Sequence, residues 1–230
     1  MSILSCTSRV HDDIQLFVLY GCAMTNLKLN IPQRPSYSKA QKKLIQATLD
    51  SLMLEGVNGC SVRKICEKAE MAVGLINYHF GTLNDLLAAA YMNLALRLLD
   101  EAIDKSHHSK NPRQRLSVFI QETFSNSVMQ RRILRAWVVF WGMIDKAPQI
   151  KVAHDTSNQA FRVFLEQSFS ELNQVQAVKP TPRLAAIGLT AIIDGLWLEW
   201  CLSSDTFSAE EAVILCEQWV DAACALPSCK

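Results

Sequence analysis

The segment 61–80, SVRKICEKAEMAVGLINYHF, constrains the fold of this 230-residue chain more than any other. Its apolar residues recur at steps of three and four, the spacing that builds one buried face of an α-helix. A polar interruption at Glu70 divides the segment into two short helices, which we call the reader. The predicted inward side chains are Val62, Ile65, Cys66 and Ala69 on the first helix, and Val73, Ile76 and Phe80 on the second.

The second reader helix is predicted to present a mixed set of residues to solvent: Gly74, Leu75, Asn77, Tyr78 and His79. An asparagine amide can pair with the edge of an adenine, and tyrosine and histidine suit phosphate oxygens. The pattern therefore predicts a helix-turn-helix that reads DNA. Spacing alone is equally compatible with a surface helical hairpin that binds nothing.

The distribution of charge favours the interpretation that this segment binds DNA. The whole chain has a net charge of +1, but residues 28–82 contain eight basic and four acidic residues, a local charge of +4. The remainder of the chain must then sum to −3. A basic excess that coincides with a helix-turn-helix pattern is typical of a nucleic-acid surface.

The rest of the sequence shows no convincing strand alternation, so we predict an all-α fold of about nine helices. Besides the two reader helices, one helix starts at Ser38 and ends near Glu55. Six more are predicted from capping residues and prolines, which mark helix boundaries. They are predicted from Thr82 to about Lys105, from Asn111, over 131–146, over 149–175, from Thr181 and from Ser208.

One apolar stretch, residues 184–202, is long enough to suggest a membrane span. It contains Asp194 and Glu199, and each acidic group near a bilayer centre costs about 2.5–3.5 kcal/mol. Burial within protein is the better interpretation, and no membrane association is expected. An apolar helix of this kind predicts a homodimer in which residues 184–202 and 208–225 of each copy form a four-helix seam.

The sequence contains no motif that indicates a metal site, a cofactor site or a catalytic site. The eight cysteines include no CxxC pair, and the five histidines have no ligand spacing with them. Glycine-rich phosphate loops, GxSxG and His-Glu metal motifs do not occur. We expect no enzyme activity, no cofactor and no metal, and reduced thiols in the cytoplasm.

The first 35 residues differ from the rest of the chain. An apolar run over 14–23 is too short, and too acidic in its flank, for a signal peptide or a membrane span. A polar stretch with Pro32 and Pro35 follows. We predict a flexible arm over 1–35, and translation that begins at Met24 is an alternative start.

Residues 38 to about 98 resemble the DNA-binding domain of the TetR family of transcriptional regulators. The matching residues are Gly59, Ser61, Val62, Arg63, Ile65, Ala69, Val73, Gly74, Ile76, Tyr78, His79, Phe80, Gly81, Leu86 and Leu87. The resemblance implies a DNA-binding domain over 36–98 and a larger helical domain over 99–230 that dimerises and binds an effector. The carboxy-terminal IDGLWLEWCL is similar to the choline-responsive BetI branch.

The resemblance also implies roles for individual residues. Ser61 would cap the first reader helix, and Arg63 and Tyr78 would hold phosphates. His79 would either bind phosphate or pack against Tyr78. The full predicted DNA-binding set is Ser61, Arg63, Lys64, Gly74, Leu75, Asn77, Tyr78 and His79.

Three residues depart from the family pattern. Glu70 stands where a turn glycine is usual, and a left-handed backbone there would be strained for glutamate. Ala72 replaces the usual capping Ser or Thr, a loss of about 1 kcal/mol. Leu83 replaces a lysine that often contacts phosphate, so we expect a weaker salt dependence of DNA binding.

Aromatic residues in the second half of the chain suggest an effector site. Tryptophan and other aromatic faces attract quaternary ammonium groups, and a carboxylate can add a counter-charge. The predicted ligand-binding residues are Trp137, Phe140, Trp141, Asp194 and Trp197. Most such rings at helical spacing fill a core, which is the alternative interpretation.

The sequence therefore predicts a homodimeric repressor that binds an operator in double-stranded DNA and responds to a small molecule, such as choline or a related quaternary ammonium compound. The effector would act by shifting the helix from Thr82 to Lys105, which joins the two domains. The alternative is a helical dimerisation or adaptor protein with a weakened reader.

Overall fold

The computed structural model describes residues 32 and 34–225, and these residues form nine α-helices and one 3-10 turn with no strand. The all-α prediction is confirmed. The predicted arm lies almost wholly outside the described residues, as does Met24. The elements are α1 (Lys39–Glu55), the 3-10 turn (Gly56–Gly59), α2 (Val62–Lys68), α3 (Gly74–Phe80), α4 (Leu83–Ser106), α5 (Pro112–Thr123), α6 (Arg131–Trp141), α7 (Pro148–Val175), α8 (Pro182–Leu202) and α9 (Ala209–Ala225).

Side-chain caps fix several of the helix starts, as the sequence predicts. At α4 the Thr82 hydroxyl accepts a hydrogen bond from the Asp85 amide at 3.2 Å, and the Asp85 carboxylate accepts one from the Thr82 amide at 3.1 Å. Ser208 and Glu211 form the same reciprocal pair ahead of α9. Each pair satisfies amides that have no partner within the first turn of a helix.

Two local predictions are wrong. The helix predicted over 131–146 ends at Trp141, because Gly142 starts a series of tight turns before Pro148 begins α7. Glycine in a helix is destabilised by its backbone freedom. Val73, predicted to point inward, is 55% exposed, because it precedes the helical residues of α3 and lies at the edge of a buried face centred on Ile76.

A continuous hydrophobic core joins the reader to the rest of the chain. It contains Leu44 and Ile65 from the first helices, and it continues without interruption to Trp137 and Phe140 on α6. Helix α4 packs against α1 and α3 near its start, and against α5 and α7 further along. The predicted boundary between residues 98 and 99 falls within α4, so both predicted domains share this helix.

Helix α8 is long and apolar enough to cross a membrane, judged by length and composition alone. Within a single chain only 28% of its most apolar stretch is buried. One face, which includes Ala185, Leu189 and Ile193, packs inside the fold. The opposite face leaves Leu184 and Leu202 more than half exposed.

Candidate functional sites

The first reader helix, α2, starts at a serine cap. Ser61 is extended, with φ −113° and ψ 144°, and its hydroxyl accepts a hydrogen bond from the Lys64 amide at 3.3 Å. The predicted capping role of Ser61 is confirmed by this geometry. Arg63 follows the cap and is exposed, as a side chain that contacts phosphate needs to be.

Lys64 is tied into the chain itself. Its ammonium pairs with the Glu55 carboxylate and donates a hydrogen bond to the Asn58 carbonyl at 3.0 Å. The hydrogen bond from Lys64 is the main reason why the pKa of Glu55 is lowered. Lys64 therefore braces the 3-10 turn ahead of α2, and a phosphate contact would have to compete with these partners.

The turn between the two reader helices passes through a left-handed residue. Glu70 has φ 48°, the only positive φ of a non-glycine residue in the described part of the chain. A left-handed residue after a helix allows the next amide to reach back, and here the Met71 amide donates to the Cys66 carbonyl at 2.9 Å. The Glu70 carboxylate pairs with Lys43 at 3.2 Å. The sequence expectation of strain at Glu70 is thus met.

The second reader helix, α3, has no side-chain cap at its start, in line with the loss expected at Ala72. Its outer surface consists of Gly74, Asn77 and Tyr78, and Tyr78 is 80% exposed. Leu75 is half-buried, so its predicted contact with bases is restricted to part of its side chain.

His79 lies at the edge of this surface. It is half-buried, and its ring stands edge-on to Tyr78 with ring centroids 4.8 Å apart. Its carbonyl accepts a hydrogen bond from the Gln41 side chain at 3.2 Å, which ties α3 to α1. This geometry favours packing against Tyr78 as the role of His79.

A cavity of about 80 Å³ lies between α4, α5, α6, α7 and α8. Four of the five predicted ligand-binding residues line it: Trp137, Trp141, Asp194 and Trp197. Phe140 does not. Phe140 is fully buried and packs edge-on against Tyr91, with ring centroids 5.0 Å apart, so it belongs to the core and the prediction for Phe140 is wrong.

The cavity wall is built from tryptophans whose positions are fixed by packing. The Trp137 ring lies 6.3 Å from Trp197 and 6.4 Å from Trp141 between centroids. The Trp197 indole nitrogen donates a hydrogen bond to the Thr123 carbonyl at 3.0 Å, which anchors α8 to α5. The indole nitrogen of Trp137 is buried and has no partner among the described residues.

A carboxyl group, that of Asp194, lines the same cavity as these rings. Burial raises the pKa of Asp194 to about 6, although the nearby His154 and Arg162 act in the opposite direction. Burial also raises the pKa of the Tyr91 hydroxyl. The cavity therefore combines π-faces with one acid that is mostly ionised at neutral pH.

Sequence reasoning missed several residues that line the cavity, among them Tyr91, His154, Phe161 and Thr190. They come from α4, α7 and α8, far apart in sequence from Trp137. Tyr91 and Thr190 belong to the buried faces of their helices, so the sequence does not distinguish them from ordinary core residues. Phe161 is one of the aromatic residues in the second half of the chain, but it was not among the predicted ligand-binding residues.

Comparison with known proteins agrees with this arrangement. Residues 44–90 match the family model of bacterial regulatory proteins of the tetR family, and residues 112–225 match the carboxy-terminal region of BetI-type transcriptional repressors. The BetI transcriptional regulator of Yersinia pestis (strain Pestoides F) is 29% identical over 186 residues, which cover 79% of this chain and 90% of the relative.

Solved structures show the same fold. A transcriptional regulator from Pseudomonas aeruginosa PAO1 is 36% identical, with a TM-score of 0.72, over 79% of this chain and 88% of that one. A regulator from Saccharomonospora viridis, solved in complex with choline, has a TM-score of 0.70 at 17% identity over 80% of this chain and 97% of that one. The relatives are transcriptional regulators rather than enzymes. This chain belongs to the TetR family of transcriptional regulators, with a carboxy-terminal region of the BetI type.

Proposed function

We propose that the protein is a cytoplasmic, homodimeric repressor whose cavity binds choline or a closely related quaternary ammonium compound. The observation that carries this proposal is that Trp137, Trp141 and Trp197 line one cavity together with Asp194. Aromatic faces attract a cation through their quadrupole, and the attraction is strongest for tryptophan. A nearby carboxylate adds a charge that favours a cation over a neutral molecule of the same shape.

The size of the cavity supports a small ligand. A volume of about 80 Å³, at roughly 10–15 Å³ for each water-sized group, accommodates on the order of 5–8 heavy atoms. Choline falls in this range, whereas long-chain amphiphiles do not. The choline complex of the Saccharomonospora viridis regulator supports the same class of ligand in a protein of this fold.

The outer face of α8 supports a homodimer. Its exposed residues recur at three- and four-residue steps as Leu184, Ile187, Ala191, Gly195, Leu198 and Leu202. Ile214 and Leu215 on α9 are also about half exposed. An apolar stripe of this length on two long helices suits a four-helix seam with a second copy, and Gly195 lets two helices approach closely at its centre.

Helix α4 supplies the proposed route from effector to DNA. Tyr91, Ala95 and Leu98 on α4 line the cavity, and the start of α4 packs against α3. A ligand that shifts α4 would therefore move the recognition helix α3. In a dimer this changes the separation of two readers that must meet half-sites about one DNA turn apart.

On the DNA side, we propose that Asn77 reads bases while Arg63 and Tyr78 hold phosphates. All three side chains are exposed. Replacing Asn77 by alanine should weaken operator binding by about 1–3 kcal/mol, with little effect on random DNA. Equal weakening on both DNAs would assign Asn77 a phosphate role instead.

The test of the proposed function combines two measurements on the full chain. Quenching of tryptophan fluorescence is titrated with choline and with 3,3-dimethyl-1-butanol, the neutral carbon analogue of the same shape. Footprinting of genomic DNA is then performed with and without choline. We expect choline alone to quench and to alter the footprint. An intact dimer that protects no DNA at low salt would instead support the adaptor function.

A further inference from the structure

An exposed valine stands at the start of the recognition helix, where the sequence pattern placed a buried one. Val73 is 55% exposed and directly precedes Gly74, the first residue of α3. No heavy atom lies within 4 Å of the place where Gly74 would carry a Cβ atom. The beginning of α3 therefore offers an apolar and uncrowded surface to the solvent.

Val73 lies one helical turn before Asn77. Residues four apart in a helix share a face, so both side chains project toward the same side of α3. One turn rises 5.4 Å, against about 3.4 Å for each base step along a DNA strand. The two side chains are thus separated by roughly one to two base pairs along a groove that runs parallel to the helix.

The chemistry of valine limits what it can recognise in the major groove. It neither donates nor accepts a hydrogen bond, so the feature that suits it is the 5-methyl group of thymine. Val73 has helical backbone angles, φ −54° and ψ −38°, which hold a β-branched side chain in a single preferred rotamer. A contact made by Val73 therefore costs little conformational entropy.

We propose that Val73 determines operator specificity by contacting the methyl group of a thymine, within one or two base pairs of the base that Asn77 reads. The inference rests on the proposed base contacts of α3. Burial of one methyl group corresponds to about a fourfold change in affinity at each half-site. When both half-sites of a dimer lose the contact, the change is about fifteenfold.

The experiment starts with operators selected from random duplex DNA by the purified full chain. Each thymine is then replaced singly by deoxyuridine, which lacks only the 5-methyl group, and Kd is measured. For the wild-type protein, Kd should rise about fourfold when one particular thymine, near the base read by Asn77, is replaced. The variant Val73→Ala should bind the thymine and deoxyuridine forms of that site equally well.

The matched control is Val57→Ala. Val57 is a valine of similar exposure, 60%, but it lies in the 3-10 turn ahead of α2. This variant should keep the full deoxyuridine response of the wild type. The proposal is overturned if no thymine methyl affects binding, or if Val73→Ala retains the response. Failure to select any operator would instead count against the proposed function as a whole.

Discussion

The indole rings of Trp137 and Trp197 lie nearly parallel, with 15° between their planes and 6.3 Å between their centroids. The two residues come from α6 and α8, sixty positions apart in the sequence. Their alignment places two π-faces along one side of the cavity that also contains Asp194. This pairing joins the core of the reader to the proposed effector site, since Trp137 belongs to both.

Replacement of Trp197 by leucine should weaken choline binding. The change removes one aromatic face, and a partly desolvated cation–π contact contributes about 1–2 kcal/mol, so Kd should rise by roughly five- to thirtyfold. Isothermal titration calorimetry measures this directly. Trp200→Leu is the matched control on the same helix, because Trp200 does not line the cavity. Equal losses in the two variants would mean that α8 packing, and not the cavity, is responsible.

Choline affinity should depend on pH through Asp194. Burial raises the pKa of Asp194 to about 6, so the empty site holds a carboxylate above that pH and a neutral acid below it. A cation binds the carboxylate, which means that affinity is full near pH 7 or above and falls as the pH drops through about 6. Below pH 6, choline affinity should fall by no more than tenfold for each pH unit.

The control for this pH effect is Asp194→Asn, which should bind choline weakly and with a flatter pH profile. A steep profile that persists in Asp194→Asn would show that Asp194 is not the group responsible for the pH dependence. Both profiles can be measured by the same fluorescence titration.

A bulky residue at Gly195 should separate the dimer without unfolding the chain. Gly195 is exposed, and a Cβ atom there would meet no heavy atom within 4 Å inside a single chain, so a side chain added by Gly195→Trp starts in open space in the monomer. In the proposed seam the same side chain would force two helices apart. Analytical ultracentrifugation should show a shift toward monomer, with unchanged helical circular dichroism. Gln121→Trp, at an exposed position of α5, should remain dimeric.

The salt dependence of DNA binding should respond to residue 83. Leu83 is half-buried at the first position of α4, where the sequence resemblance implied a lysine that contacts phosphate. Leu83→Lys should steepen the slope of log K against log salt by about 0.9 for each added phosphate contact. Leu83→Met, which adds no charge, should keep the original slope. An unchanged slope in Leu83→Lys would show that this position does not reach the phosphates.

The sequence predicted the helix-turn-helix and most helix starts because these depend on neighbouring residues. The two capping pairs, Thr82 with Asp85 and Ser208 with Glu211, join residues only three apart. Such pairs can be recognised in the sequence without knowledge of the fold. The end of α6 was predicted five residues late, because turns after Gly142 continue to hydrogen bond locally. Local patterns thus specify where helices begin better than where they end.

The cavity was predictable only in part. Trp137 and Phe140 are three residues apart on one helix, yet Trp137 lines the cavity while Phe140 packs in the core. Which of them faces the cavity depends on Tyr91 and on residues from α7 and α8, whose positions follow from tertiary packing. Periodicity identified the aromatic helices but not the direction in which each ring points.

The left-handed backbone at Glu70 should make the reader less stable than it would be with glycine or asparagine at this position. A left-handed backbone costs a non-glycine residue about 1–2 kcal/mol, and glycine costs about 0.5–1 kcal/mol through the unfolded state. Loss of the exposed pair between Lys43 and Glu70 removes at most about 1 kcal/mol. Because loss of the ion pair can offset the gain, the change is made in a Lys43→Ala background, where Glu70→Gly should raise the free energy of unfolding by about 0.8 kcal/mol. Chemical denaturation of Lys43→Ala and of the double variant measures the change. Glu70→Asn should stabilise as well, because asparagine tolerates this conformation, and a loss of stability in both variants would show that strain at Glu70 is negligible.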